Sequence, residues 1–305
     1  MRMAQSVRPR VSPTQRKSRI AGLLFFAPYG ILLVGFGLVP IGLAMATSLQ
    51  ATRMNPAGGF RNYLDVIQDF RFLPALINVG IFLAIFLPSM IVIVTLMALL
   101  LDAYQTRWSL PLRLAYIVPA SISGSVAVLV WYFLLEPTLS PYRDVLHALG
   151  ITQAAQIWNP DNLAWIFALI AFATGAGNWI VIQYGSLQSI SEDLVEAARL
   201  DGCNAAQIGL LIKLPLIRKY IVYMGVLTFA AGVQVFVEPQ LINAGVYTGL
   251  AENWSINQVG YTLAFTSGNF AGSAALSLLL FFVCLIAALF LIYRTDFFKN
   301  AEDSK

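Results

Sequence analysis

The sequence predicts an all-α integral membrane protein with six transmembrane helices. Composition, the length of the apolar runs and the distribution of charge all favour this fold class. Of the 305 residues, 58% are hydrophobic and only 11% are charged. A soluble globular domain carries about 25% charged residues, so this chain has too few charges to keep a soluble domain of its size dissolved. Apolar helices of about 20 residues, each crossing the hydrocarbon layer, are the physical alternative.

Six segments without a charged residue have the length that such helices need, and we number them as spans 1 to 6. They are Ile20–Gln50, Phe72–Leu101, Leu114–Leu135, Asn162–Ile190, Tyr220–Val237 and Asn269–Tyr293. At about 1.5 Å per residue each reaches across a bilayer, span 5 only marginally. Backbone groups in lipid must be satisfied within the segment, so each span is expected to be helical.

The basic residues predict which side each loop faces. Segments 1–19, 102–113, 191–219 and 294–305 hold 15 of the 19 Lys and Arg residues, and the intervening segments 51–71, 136–161 and 238–268 hold the other 4. Because positive charge accumulates on the cytoplasmic side, both termini are expected to be cytoplasmic. The predicted organisation is a tail at 1–19, a six-span domain at 20–294 that includes the cytoplasmic loop 191–219, and a tail at 295–305.

The sequence has few of the residues and motifs that catalysis or metal binding requires. The two cysteines, Cys203 and Cys284, give neither a disulfide framework nor a metal-ligand spacing, and the single histidine, His147, lies in a loop. The sequence GxxxxGK[ST], which binds nucleotide phosphates, does not occur. We therefore expect no catalytic residues, no metal and no cofactor in this chain.

The loop between spans 4 and 5 carries the most specific motif. From Glu196 to Pro215 it reads EAA, three residues, Gly202, nine residues, Ile212, one residue, then Leu-Pro. Ser191 is a candidate helix cap and Gly202 permits a turn between two amphipathic runs. This pattern resembles the EAA loop of ABC importer permeases at every fixed position, although Cys203 replaces the usual alanine and Gly209 a common aromatic residue.

That resemblance implies a type I ABC importer permease fold, a coupling helix in loop 191–219, and a separate ATPase subunit that receives it. The docking residues implied are Glu196, Ala197, Ala198, Asp201 and Gly202. Other implied partners are a second homologous permease subunit, a second copy of the ATPase, an extracytoplasmic solute-binding protein and membrane lipid, but no nucleic acid. ATP and Mg²⁺ would be used by the ATPase, and the location would be a bacterial or archaeal cytoplasmic membrane.

Weaker motifs along the chain resemble the maltose-type sugar permeases within that family. They are Ala27-Pro28, Val39-Pro40, Phe60–Tyr63, Leu76–Asn78, Ile117–Pro119, Val130-Trp131, Ser186–Ile190, Tyr261, Ala264-Phe265, Gly272 and Ala274–Leu276. The turn after span 5 departs from that group at Ile242–Gly249. The resemblance implies a carbohydrate as solute, with glycerol phosphate as the alternative. The apolar spans contain no Lys or Arg to hold a phosphate, which favours a neutral carbohydrate.

A sugar pathway needs aromatic faces and hydrogen-bonding groups on rigid helices. Gln234, Phe236 and Glu238 at the end of span 5, and Asn178 and Trp179 in span 4, are the candidates. Glu238 also fits a wet position at the outer interface, and the span 4 pair also fits helix packing.

Two other classes of protein are weighed against an importer subunit. A membrane-embedded enzyme would need a cluster of carboxylates, histidines or metal ligands, and a secondary transporter would need charged coupling residues within its spans. The sequence offers neither.

Overall fold

A computed structural model of the protein describes residues 13–52, 55–103, 109–122, 124–245 and 249–294. Every regular element in these ranges is helical, as the sequence predicts. The expected tail 295–305 lies outside the described residues, as do residues 1–12 of the expected tail 1–19 and residues 246–248 of the unusual turn Ile242–Gly249.

Within these ranges, five helices are long and apolar enough to cross a membrane, and they correspond to spans 1, 2, 4, 5 and 6. Their helices are Pro13–Leu33 with Val39–Ser48, Phe72–Ser89 with Thr95–Ala103, Leu163–Gln188, Arg218–Val233 with Val237–Gly245, and Phe270–Arg294. Spans 1 and 2 contain π turns at Val34–Leu38 and Met90–Val94. These turns lie beside Pro40 and Pro88, whose missing N–H groups and bulky rings disturb the regular helical ladder.

Span 3 is not the single helix that the sequence predicts. It is divided into Ser109–Ala120 and Gly124–Leu135, and the chain turns at Ser121 and Ile122. Pro119 lies one residue before the end of the first helix, and because it has no N–H for the carbonyl of Ala115 and its ring crowds that carbonyl, the last turn is weakened. The Ser121 hydroxyl then donates to the carbonyl of Val118 at 2.7 Å, which closes the turn.

Span 4 is the central helix and packs against spans 2 and 3. The contact with span 3 depends on Gly177, because a Cβ atom at this position would lie 1.8 Å from the carbonyl oxygen of Tyr116. Glycine is therefore the residue that lets the two backbones approach. The absence of a side chain at Gly177 therefore permits close contact between spans 3 and 4.

The connection between spans 5 and 6 forms part of the core. Trp254 is buried between Phe167 of span 4 and Phe82 of span 2, with ring centroids 4.8 and 6.4 Å away. Ser255 caps the following helix, Ile256–Tyr261, by accepting from the backbone N–H of Gln258. The polar composition of this segment predicts an exposed loop, whereas the structure folds it into the bundle.

The connection between spans 1 and 2 lies at the same end of the bundle as the connection between spans 5 and 6. It is held in place by hydrogen bonds of side-chain amides. Asn62, on the helix Arg61–Ile67, donates to the carbonyls of Ser48 and Gln50, each at 2.8 Å, and accepts from the Asn55 amide at 3.0 Å. Tyr63 contacts the Ser48 hydroxyl at 2.8 Å. These bonds explain why Asn and Tyr occur in the motif Phe60–Tyr63.

Two further short helices, Arg143–Ala148 and Ala154–Ile157, connect spans 3 and 4.

Candidate coupling loop and solute cavity

Loop 191–219 begins with a short helix, Glu192–Leu200, that has acidic residues in its first turn and Arg199 in its last. Negative charge at the start of a helix and positive charge at its end both interact favourably with the helix dipole. Ser191 occupies the N-cap position as predicted, but its hydroxyl lies 3.5 Å from a carboxylate oxygen of Asp193 and makes no cap bond to the backbone. The acidic residues of the first turn therefore do more than the serine to stabilise this end.

The loop reverses direction immediately after this helix. Gly202 has a φ of +85°, a left-handed conformation that glycine adopts without steric cost. Asn204 then starts the next helical stretch through a reciprocal cap with Gln207, with distances of 2.9 and 2.8 Å. The chain continues through Ala205–Gln207, a π turn at Ile208–Lys213, and Leu214–Leu216. A tight, capped turn thus presents one end of the short helix to solvent.

The two faces of the helix Glu192–Leu200 have different roles. Val195 and Ala198 pack against Ile208 inside the loop, whereas Glu196, Ala197, Asp201 and Gly202 are exposed. Ala198, which the resemblance also implies as a docking residue, is only 6% exposed, and its methyl group supports the loop's own packing. Leu200, which the sequence analysis did not select, is 90% exposed at the tip. Leu200 thus adds an apolar side chain to the exposed end of the helix, next to Asp201 and Gly202.

A buried ion pair fastens this loop to the bundle. Asp102, at the end of span 2, is buried and paired with Lys213 of the loop. Its other carboxylate oxygen accepts from the side-chain amide of Gln188, at the end of span 4, at 2.8 Å. The sequence analysis placed Asp102 at the start of the cytoplasmic segment 102–113 and assigned it no role. The available signal was a single carboxylate directly after 30 uncharged residues, Phe72–Leu101.

A cavity of about 430 Å³ lies within the bundle between spans 2, 4 and 5. This volume is within the range of about 300–1,000 Å³ that is typical of small-molecule sites. Gln234, Phe236, Glu238 and Trp179 all line it, so four of the five candidate pathway residues lie together. Asn178 does not line the cavity and is exposed on another side of span 4. Its selection as a pathway residue is not supported by this geometry.

Span 5 is interrupted where it borders the cavity. Its first helix ends at Val233 and the next begins at Val237, and residues 234–238 all line the cavity. Pro239 accounts for the interruption, because its ring would clash with the carbonyl of Val235 in a continuous helix. Non-helical backbone at membrane depth is tolerated where it borders a cavity. The span 5 interruption thus supplies polar groups that a regular apolar helix lacks.

Span 5 also contributes a buried hydroxyl to the cavity. The Thr228 oxygen is buried and has no hydrogen-bond partner among the described residues. A buried polar atom without a partner costs about 1–3 kcal/mol. A polar solute in the cavity would remove that cost.

The opposite end of the bundle from loop 191–219 carries a groove of about 1,030 Å³ between residues 50–71 and 263–272. Its wall includes a two-pronged ion pair in which Arg71 donates to both carboxylate oxygens of Asp69, at 2.8 and 2.7 Å. These hydrogen bonds lower the pKa of the Asp69 carboxyl below its ordinary value. The groove is therefore polar and fixed in shape on this side.

Comparisons with known proteins agree with this architecture. No protein-family profile matches the chain. The chain is 26% identical over 294 residues to the probable ABC transporter permease protein YurN of Bacillus subtilis, covering 94% of this chain and 99% of that protein. It is 27% identical to the sulfoquinovosyl glycerol transport system permease SmoG of Agrobacterium fabrum, covering 91% of each. It is 28% identical to the sn-glycerol-3-phosphate transport system permease UgpA of Salmonella typhimurium, covering 88% and 92%.

The fold is also similar to a chain of a bacterial alginate ABC transporter, solved in complex with an alginate pentasaccharide-bound periplasmic protein. The TM-score is 0.78 at 20% identity, over 92% of this chain and 94% of that one.

Five long apolar helices, a cavity between three of them and a loop presented at one end fit a multi-pass membrane transport protein. The similarity over nearly the whole chain makes the class more specific, because these relatives are permease proteins of transport systems. Its relatives are transporter permeases, which points to a non-catalytic role.

Proposed function

We propose that this chain forms half of the transmembrane pathway of an ABC importer for a carbohydrate delivered by an extracytoplasmic binding protein. The other half is a second, homologous permease subunit, and two ATPase subunits complete the complex. The observation that carries the proposal is the cavity between spans 2, 4 and 5, together with the separate, exposed helix Glu192–Leu200 at one end of the bundle.

The proposed orientation has loop 191–219 and both tails, 1–19 and 295–305, in the cytoplasm of a bacterium or archaeon. Residues 20–294 then form six spans, with the divided span 3 as one of them. Arg199, Lys213, Arg218 and Lys219 support this orientation because they put positive charge at the end of the bundle that carries the loop. The groove between residues 50–71 and 263–272 is then on the outer face.

The coupling step follows from how loop 191–219 is attached. Glu196, Ala197, Asp201, Gly202 and the added Leu200 dock with an ATPase subunit. That subunit binds ATP and Mg²⁺, and the permease holds no cofactor or metal. The burial of Ala198 keeps the helix rigid against the rest of the loop, so that a push on the helix moves the whole loop.

The ion pair then passes this movement to the spans. Lys213 moves with the loop, and Asp102 and Gln188 connect it to spans 2 and 4. These two spans form walls of the cavity. Closure of the ATPase dimer on ATP moves the coupling loop and therefore switches the spans from the inward-facing to the outward-facing arrangement, through differential contacts in the two states.

The cavity lining favours a sugar. Trp179 and Phe236 supply aromatic faces, and Gln234, Thr228 and Glu238 supply hydrogen-bonding groups. Such a combination suits the apolar face and hydroxyl edge of a sugar ring.

Similarity to UgpA makes glycerol phosphate the second candidate. Among the described residues that line the cavity, the ionisable side chain is the carboxylate of Glu238 and none is Lys or Arg. A phosphate would be repelled by this carboxylate, so its transport would require a cation from the second permease subunit.

Copurification tests the coupling assignment. The wild-type chain is expected to recover an ATP-hydrolysing subunit from detergent-solubilised membranes, and Glu196→Lys is expected to lose it. Glu252→Lys is the control because it makes the same charge change on an exposed residue in the connection between spans 5 and 6. Equal recovery by both variants would refute the docking surface.

Uptake into proteoliposomes tests the solute class. The probes are radiolabelled maltotriose, sulfoquinovosyl glycerol, an alginate trisaccharide and glycerol phosphate, each with its binding protein. Glu238→Gln is expected to impair uptake of a glycoside while the complex still assembles, and Glu252→Gln, on an exposed loop, is not. Unchanged uptake in Glu238→Gln would remove Glu238 from the pathway. Exclusive transport of glycerol phosphate would refute the carbohydrate assignment.

A further inference from the structure

Four aromatic rings form a continuous row between the intramembrane cavity and the groove at the opposite end of the bundle from loop 191–219. The centroid distances are 5.7 Å from Phe236 to Tyr261, 4.9 Å from Tyr261 to Phe265, and 6.3 Å from Phe265 to Phe270. Each step is within the range of about 4.5–7 Å for rings in contact. The row therefore has no gap that a solute would have to cross without an aromatic contact.

The row also connects three separate spaces. Phe236 lines both the intramembrane cavity and a second cavity of about 360 Å³, which Tyr261 and Phe265 line as well. Phe265 also lines the groove, together with Phe270. One ring is thus shared at each junction, and the rings mark a path from the groove to the cavity.

Three of these rings are not packed away in the chain's own core. Tyr261 is 44% exposed, Phe265 70% and Phe270 58%. Rings that served only to hold the connection between spans 5 and 6 in place would be buried in the way that Trp254 is. Their exposure leaves the ring faces accessible to another molecule.

Polar groups border the rings along their whole length, which argues against a lipid-facing surface. Asn257, Ser273 and Ser277 line the second cavity, and Ser267 and Asn269 line the groove. Such a concentration of amides and hydroxyls is costly on a surface that faces hydrocarbon, where water cannot solvate them. Aromatic faces flanked by amides and hydroxyls match the two kinds of surface on a sugar, its apolar C–H face and its hydroxyl edge.

We propose that Phe236, Tyr261, Phe265 and Phe270 form an aromatic track that binds successive rings of an oligosaccharide as it passes from the groove to the intramembrane cavity. This inference rests on the proposed transport of carbohydrates and specifies the substrate class further. A substrate with several sugar rings contacts several members of the track at once. We therefore expect oligosaccharides to depend on the track more strongly than single sugar units do.

Uptake kinetics test the track directly. Tyr261→Leu and Phe265→Leu keep an apolar side chain but remove the flat ring, and each is expected to raise the KM for the transported oligosaccharide about three- to tenfold, the size of one aromatic contact. Phe290→Leu is the matched control because Phe290 is 59% exposed on span 6 and lines none of the three spaces. Equal KM values in all three variants would refute the track.

Thiol labelling gives an answer even if every glycoside fails as a substrate. In a background with Cys203→Ser and Cys284→Ser, Phe265→Cys and Phe290→Cys are treated with a charged, membrane-impermeant thiol reagent and with a lipid-soluble one. Only the Phe265→Cys variant is expected to react with the charged reagent, and the transported oligosaccharide is expected to slow this reaction. Labelling of Phe265→Cys by the lipid-soluble reagent alone would overturn the track. Crosslinking of this position to the second permease in the resting complex would overturn it as well.

Discussion

Replacing Lys213 with methionine should destabilise the protein through the carboxylate that it leaves behind. The Asp102 side chain is 3% exposed and the Lys213 side chain 15%. Removing one partner of a buried pair costs about 3–5 kcal/mol. Here Gln188 continues to donate to Asp102, which offsets part of the loss. We expect Lys213→Met to cost about 2–3 kcal/mol and to lower the Tm by on the order of 5 °C.

A double-mutant cycle separates the pair from other effects of the substitution. Asp102→Asn keeps the shape of the side chain and its contact with Gln188, and combined with Lys213→Met it removes both charges together. The double variant should recover most of the stability, since replacing both partners of a buried pair is often nearly neutral. Lys219→Met, on the exposed side of the next turn, is the control and should change stability by less than about 0.5 kcal/mol.

Thermal unfolding of the purified chain in detergent measures all four variants. If Lys213→Met and Lys219→Met lower the Tm equally, or if the double variant is as unstable as Lys213→Met, the buried pair does not hold the loop. In the reconstituted importer, Lys213→Met should also raise the amount of ATP hydrolysed per solute imported, because the loop then moves without its attachment to spans 2 and 4.

Three further changes have defined outcomes. Gly177→Ala should reduce the yield of folded protein and lower its Tm, because no space exists for the new methyl group. Gly185→Ala, where a methyl group meets nothing within 4 Å, should change neither. Equal Tm values for the two variants would contradict the close contact between spans 3 and 4. Asp69→Asn should cost about 1 kcal/mol at pH 7. Because the folded-state pKa of Asp69 is lowered by Arg71, the wild-type advantage should be complete above the ordinary aspartate pKa and vanish as pH falls through the folded-state value; an advantage that does not change between pH 7 and pH 3 in thermal unfolding would exclude the ion pair as its cause. Leu200→Ser should weaken recovery of the ATPase subunit in copurification without changing the Tm, and unchanged recovery would remove Leu200 from the contact surface.

The sequence predicted the long helices well because their signal is local. In lipid, an uncharged run of more than 20 residues satisfies its backbone hydrogen bonds by forming a helix. Spans 1, 2, 4, 5 and 6 follow this rule. The prediction of one continuous helix was wrong for span 3. Pro119 and the serines after it interrupt the helix, and hydropathy alone does not detect such an interruption. The same kind of break in span 5, caused by Pro239, brought Glu238 to the cavity.

The candidate site was predicted in part, and the errors have a common cause. Glu196 and Gly202 follow from a motif in consecutive residues, and Gln234, Phe236 and Glu238 are neighbours in the chain. The burial of Ala198, the position of Asn178 away from the cavity and the ion pair of Asp102 could not be predicted, because each depends on which way a side chain points in the folded bundle. The pair between Asp102 and Lys213 joins residues 111 positions apart, and no local pattern indicates such a contact.

The position of Trp254 has a consequence for how the protein is made. Its ring fills the space between Phe82 and Phe167, so spans 2 and 4 cannot complete their packing when they leave the ribosome. At about 5–20 residues per second, several seconds pass between synthesis of the end of span 4 and synthesis of this tryptophan. During that interval the nascent chain resides in the membrane with an unfilled core, and a chain that terminates before residue 254 retains that defect permanently. Truncated products should therefore be substrates for membrane quality-control proteases even when their first four spans are correctly inserted.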